Sequence, residues 1–240
     1  MSNTTESKLS EKQFSEGIGA TTSSDHLKRQ RHQLAIQFFS KLPKGLVLDD
    51  GANDCAVSNE LIKIGHEVLS IDLPEVIKHG KKFNGVNLIA GDAFKLPFRD
   101  NTFDYVFFSE LIEHFSSPSG LVREIFRVLK PDGTMWLTTP NVASLRNRIF
   151  MLLGFHWKGS REVDGEGHIQ HFDFTKLHEY ITGFGFVGME IMGCDEYPMP
   201  KFENGIFGEE ELKSLIDKLV EQENPHKLKS TIIYIAKKPK

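Results

Sequence analysis

Between Leu46 and Asn141 the chain alternates short apolar runs with helical patterns, and this alternation restricts its possible folds more than any other feature. Leu46 to Leu48, His66 to Ile71, Val86 to Ala90, Phe103 to Phe108 and Thr134 to Thr138 read as buried strands. Val57 to Ile64, ended by Gly65, and the stretch opened by Pro74 read as helices. Apolar strands separated by helical spacing imply βαβ units and an α/β fold with a doubly wound, mostly parallel, Rossmann-like sheet. The unit from Phe103 to Asn141 is the fullest. A strand ends on Ser109-Glu110, an amphipathic helix follows, Pro131-Asp132-Gly133 turns the chain, and a second strand ends at Thr139-Pro140-Asn141. Two later strands, Gly185 to Ile191 and Ile232 to Ile235, predict an antiparallel pair at one edge of a seven-stranded sheet.

A chain of 240 residues suits one such domain with little left over. Residues 1–24, rich in Ser, Thr, Glu and Lys, are expected to form a flexible arm, and residues 25–240 a single domain. A formal charge of −4 argues against nucleic acid as the main partner, since phosphate binding needs a basic face. No run approaches the ~20 apolar residues of a membrane span. Cys55 and Cys194 are too few for a disulfide framework, and a cytoplasmic location fits. No feature of the sequence sets an oligomeric state.

Open parallel sheets bind ligands beyond the carboxyl ends of their strands. Those positions hold Asp49-Asp50-Gly51-Ala52-Asn53-Asp54-Cys55, then Asp72-Leu73, Gly91-Asp92-Ala93 and Ser109-Glu110. Asp72 lies about 20 positions past Gly51, the spacing at which an acid reaches a ribose diol. Taken singly, Asp72 reads equally as a helix cap before Pro74, and Asp92 as a turn cap. Together they specify a nucleoside-like ligand. A nicotinamide-dependent oxidoreductase is a weaker fit. Its phosphate turn requires G-x-G-x-x-G, and Asn53 obstructs the close approach that the middle glycine provides.

Four segments, V-L-D-D-G-A-N-D-C, S-I-D, G-D-A-F-K-L-P-F and the Phe103-to-Asn141 unit, resemble the class I S-adenosylmethionine-dependent methyltransferases. The likeness spans residues ~45 to ~190, within the type 11 group that includes the ubiquinone-biosynthesis O-methyltransferases. It implies S-adenosyl-L-methionine as cofactor. Asp49 and Gly51 would line its methionine end, and Asp72, with Leu73 beside it, its ribose hydroxyls. Asp92 would accept from the adenine amino group, the Ala93 amide would donate to the ring, and the Ser109 backbone would meet the ammonium. The family's turn usually reads G-x-G-x-G. Here Asn53 tolerates φ > 0, whereas Cys55 is not free in φ. That departure raises an alternative, a non-catalytic binding protein that has kept the fold.

Methyl transfer needs a nucleophile held in line and shielded from water, with a base only where the acceptor loses a proton. Glu110, Glu113 and His114 follow the fourth strand; His114 is the predicted base, by position and by a pKa near neutrality, with Glu110 beside it. Residues ~142 to ~173 form the predicted acceptor lid, in which Trp157, His168 and His171 are candidate acceptor contacts. The pattern N-x-x-S-L-R-N-R followed by H-x-Q-H-F resembles methyltransferases of cell-surface polysaccharide or lipid-linked sugar pathways. It implies a small-molecule or glycan acceptor, with oxygen as the nucleophile. No metal is expected. His168-x-x-His171-x-Asp173 lacks a further ligand at a familiar spacing, and Asp173 and Thr175 read as helix-opening residues.

Overall fold

The structure, a computed structural model, describes residues 27–79, 85–152, 154, 167–195, 214, 216–218, 221 and 223–240. The expected arm over residues 1–24 lies outside these. In chain order the elements are α1 (Gln30–Ser40), β1 (Leu46–Asp50), α2 (Ala56–Lys63), β2 (Glu67–Asp72), α3 (Pro74–His79) and β3 (Asn87–Ala90). Then come β4 (Phe103–Ser109), α4 (Ser119–Val128), β5 (Leu129–Pro140), α5 (Leu145–Leu152), α6 (Phe174–Thr182), β6 (Val187–Cys194) and β7 (Thr231–Lys237). Two short 3-10 turns occupy Ile112–His114 and Pro225–Leu228.

The seven strands form one sheet in the order β3-β2-β1-β4-β5-β7-β6. β1 to β5 pair in parallel, while β7 runs antiparallel to both β5 and β6. The expected antiparallel edge pair is therefore present, with the reversed strand one place in from the edge. Winding changes direction between β1 and β4, which makes their carboxyl ends the switch point where a ligand crevice opens.

Period-two alternation sorts the strand residues onto two cores. Leu48, Ile71, Val106 and Phe108 face α4 and α6, where Leu121, Val122 and Ile125 meet Leu177 and Ile181. Val47, Val68, Phe107 and Trp136 face α1 and α2, where Ala35 and Phe39 meet Val57 and Leu61. α4 buries Leu121, Val122, Ile125 and Val128, a single stripe at helical spacing.

The predicted turn at Pro131-Asp132-Gly133 proves to be a bulge inside β5. Phe103 pairs with Leu129, yet Tyr105 pairs with Thr134, so extra residues loop out on one strand. Asp132 sits at φ 66°, and a Cβ on Gly133 would meet the Lys130 carbonyl at 2.7 Å. The bulge is closed by hydrogen bonds from Asp132 N–H to the Lys238 carbonyl and from Lys238 N–H to the Gly133 carbonyl.

Phe39 fastens α1 to the sheet. It has no exposed surface, and its ring meets Tyr105, Phe107 and Trp136 at 5.9–6.4 Å between centroids. Truncation to Phe39→Ala is expected to destabilise the fold by about 3–5 kcal/mol. Urea unfolding followed by circular dichroism measures this, and a loss under about 1 kcal/mol would contradict the packing described.

Candidate active site

A cleft of about 440 Å³, open solvent included, lies over the carboxyl ends of β1, β2 and β3. Asp50, Gly51, Asp72, Leu73, Asp92 and Ala93 line it, with Leu111 and Phe115 from the segment after β4. Its floor is a hydrogen-bonded double turn. Gly51 and Ala52 donate their N–H groups to the Ile71 carbonyl, tying the end of β1 to β2. Asp72 accepts from Asn53 N–H at 2.6 Å through Oδ2 and from Leu73 N–H at 2.7 Å through Oδ1. Asp92 accepts from Phe94 N–H at 2.8 Å.

The irregular glycine turn keeps the shape that glycines usually confer. Asn53 and Cys55 adopt φ 45° and 51°, and Gly51 adopts φ 80°. Asn enters the left-handed region readily, whereas Cys55 is held there against its preference, as the residue immediately before α2. On Gly51 a Cβ would meet Leu111 at 3.0 Å, and on Gly91 one would meet Ile71 at 2.6 Å. The missing side chains therefore let Leu111 and Ile71 pack directly against the backbone beside the cleft.

One expectation is corrected. Asp49 does not line the cleft; its side chain lies on the opposite face of β1, where Ser58 of α2 donates to it and shares a 2.7 Å contact with Ser70. Alternation along the strand puts Asp50 in the cleft instead, on the face of Leu48. The Ser109 side chain is engaged, its Oγ pairing with Thr138 Oγ1 at 2.8 Å, whereas the role expected of Ser109 is a backbone one; Leu111 and Phe115, close after it, line the cleft. Asn53 contributes an amide to Asp72 and is itself exposed.

Charge in the cleft is unusual. Both Asp50 oxygens are buried and accept no hydrogen bond from the described residues. Burial, reinforced by Asp72, Asp49 and Asp92, holds the Asp50 carboxyl far above the usual range. Burial also raises Asp49 to about 7, against the hydrogen bond from Ser58, and raises Asp72 against its two amide donors. Sequence reasoning missed Asp50, although its even spacing from Leu48 was the available signal.

The residues expected to serve the acceptor lie beyond β4. Glu110 adopts φ 52° and accepts from Thr138 Oγ1 at 2.9 Å, while buried Arg31 lies 3.7 Å from its other oxygen and 2.9 Å from Asp195. Strained backbone at such a position is common at functional sites. Glu113 is buried and accepts from Thr139 Oγ1 at 2.9 Å; its carboxyl is raised far above the usual range by burial and by Glu110. The Glu113 carbonyl accepts from Ile169 and Gln170 N–H groups at 2.8 and 2.9 Å, which hangs residues 167–170 beside the 3-10 turn. His168 thereby reaches His114, with ring centroids 5.0 Å apart.

The expected near-neutral imidazole at His114 is overturned: burial, then the neighbouring His168, pushes it down to about 4. His171 is also lowered, chiefly by burial. Trp157 lies outside the described residues. Asp173 caps α6, accepting from Thr175 and Lys176 N–H groups at 2.8 Å, as its sequence position predicted. Among the described residues no helix is long and apolar enough to cross a membrane.

Residues 48–137 match the family described as "Methyltransferase domain". The chain is 37% identical over 119 residues to cycloartenol-C-24-methyltransferase 1 of Oryza sativa subsp. japonica, covering 45% of this chain and 33% of that protein. It is 31% identical over 107 residues to a ubiquinone biosynthesis O-methyltransferase of Xanthomonas campestris pv. campestris (strain B100), covering 42% of this chain and 45% of that one. These matches span less than half the length of either relative. A SAM-dependent methyltransferase from Archaeoglobus fulgidus superposes with a TM-score of 0.63 at 20% identity, over 89% of this chain and 94% of its own. The chain carries a class I S-adenosylmethionine-dependent methyltransferase domain, and S-adenosylmethionine is the cofactor of that family. The cleft fits it. It offers buried acids at the ends of β1 and β2, an acid and an amide at Asp92 and Ala93 after β3, and a carboxyl at Asp50 that accepts no hydrogen bond from the described residues.

Two outcomes follow from this geometry. A carboxyl raised in the folded state contributes stability that is complete below the unfolded value near 4 and is lost as pH rises through about 7. The melting temperature of the ligand-free protein should therefore fall more steeply between pH 5 and 8 than that of Asp49→Asn; parallel curves would contradict the assignment. At the turn, Asn53→Gly should leave stability within about 0.5 kcal/mol, whereas Asn53→Val, β-branched at φ 45°, should cost about 1–2 kcal/mol in thermal unfolding.

Proposed function

We propose that this chain, built on a class I methyltransferase domain, moves a methyl group to an oxygen of a small-molecule or glycan- or lipid-linked acceptor. The observation that carries the reading is the cleft at the switch point. Asp72 and Asp92 line it, Ala93 and Leu73 lie beside them, and the acceptor-side residues Glu110 to His114 begin directly at its edge. When bound, S-adenosylmethionine supplies an electrophilic methyl group for in-line displacement.

In this reading the Asp72 carboxylate accepts from the ribose hydroxyls through lone pairs that its two amide donors leave available. Asp92 and the Ala93 amide meet the adenine edge, and the turn from Gly51 to Asn53 faces the methionine end. Leu111 and Phe115 exclude water from the side facing β4. Glu110, His114 and His168 orient the acceptor, with His171 and Trp157 as further contacts. Oxygen as the nucleophile is supported by the O-methyltransferase among the relatives, and by a carboxylate and two imidazoles gathered beside the cleft.

Isothermal titration with S-adenosylhomocysteine, S-adenosylmethionine and NAD tests the cofactor half. Asp72→Ala removes a charged acceptor and is expected to weaken S-adenosylhomocysteine binding about 100-fold, with the circular dichroism spectrum retained. Unchanged affinity would remove the ribose role, and binding of NAD alone would overturn the reading. Turnover of S-adenosylmethionine against panels of phenols, polyols and glycans then tests the acceptor half.

A further inference from the structure

The 3-10 turn Ile112–His114 and the segment pinned to it bring the adjacent Glu113 and His114 together with His168, more than fifty positions downstream. Glu113, His114 and His168 each offer one ligand atom, and these atoms all lie within 4.8 Å of one another. Glu113 Oε1 and His168 Nε2 are 3.9 Å apart, too long for a hydrogen bond. The imidazole planes of His114 and His168 stand at 66°. We propose that Glu113, His114 and His168 bind one divalent first-row metal ion at the acceptor end of the cleft.

The side chain of Glu113 is only 1% exposed, and its Oε1 accepts no hydrogen bond from the described residues. A carboxylate oxygen buried without a donor is costly, and a cation between it and two imidazole nitrogens removes that cost. The opposite oxygen, Oε2, accepts from Thr139 Oγ1, which fixes the carboxylate plane as outer-shell partners of metal ligands do. Bonds of about 2.0–2.2 Å from an ion to nitrogen and oxygen require ligand atoms roughly 3 Å apart. The present separations, up to 4.8 Å, would contract as the ligands close on the ion.

Two imidazoles with one carboxylate suit Mn²⁺, Fe²⁺, Co²⁺ or Zn²⁺ better than Ca²⁺, which prefers oxygen alone. Three protein ligands leave coordination positions open, and both histidines are partly exposed. Leu111 and Phe115, on either side of the turn, line the cofactor cleft, so the ion would lie at the edge of that cleft. On the methyltransferase reading, from which this last step proceeds, an oxygen of the acceptor takes an open position. The acceptor is then an oxygen ligand such as a phenol, or a hydroxyl with a second oxygen beside it.

The test uses the full chain, stripped with EDTA and dialysed, titrated separately with MnCl₂, CoCl₂ and ZnCl₂ by calorimetry, and followed by Co²⁺ visible absorption. Saturable one-to-one binding is expected for at least one ion. His168→Ala and His114→Ala should each weaken it at least about tenfold. S-adenosylhomocysteine affinity, measured in parallel with and without EDTA, should stay within about threefold in His168→Ala, because that side chain lies outside the cofactor cleft. Absence of one-to-one binding of all three ions below about 1 mM, or wild-type affinity in both histidine variants, overturns the site. Glu113→Gln adds a third arm where it folds. Loss of nucleoside binding in the wild-type protein would instead strike the cofactor reading and leave the metal result standing.

Discussion

Everything at the ligand end of the sheet depends on how β2 holds the turn that follows β1. The Ile71 carbonyl takes two amides from that turn, and the Asp72 carboxylate takes a third from Asn53 while also holding its own neighbour, Leu73. These contacts set the path of the chain from β1 into α2 without the run of glycines that usually does so. Charge-assisted hydrogen bonds to backbone amides are among the stronger contacts available to a carboxylate. Here they offset the burial of Asp72 and the left-handed conformations at Asn53 and Cys55.

Most of the fold was legible because it depends on periodicity. Alternating strands and helices, Gly65 as a helix stop, Pro74 as a helix start and Asp173 as a cap each follow from local chemistry, and each lies where expected. The bulge in β5 was not legible. Pro131-Asp132-Gly133 is a turn by composition, and only its pairing with the chain terminus through Lys238 keeps it within a strand. The site was legible at the ends of β2 and β3, where one acid per strand marks the crevice. At β1 two adjacent aspartates competed, and strand alternation decided between them: Asp50 faces the cleft and Asp49 faces Ser58.

The acceptor side was least legible, for a different reason. Its members come from the turn after β4, from α1 and from a segment more than fifty positions downstream, and no short-range spacing connects these three pieces. His114 was found by position, but its environment was not. A histidine pKa depends on what covers the ring, and here burial and a second imidazole move it well away from neutrality. Glu113 was grouped with Glu110 and His114 by position, but nothing in the sequence marked it as the buried member around which the others are arranged.

The manner in which residues 167–170 are attached has an evolutionary consequence. Two backbone amides hang this segment from the Glu113 carbonyl, so its anchorage draws on peptide groups that every residue except proline carries. The side chains of the segment are thereby released from the duty of holding it. A lineage can exchange the side chains of this segment while the peg on which it hangs remains the same. The segment is a replaceable part fixed to a permanent mount.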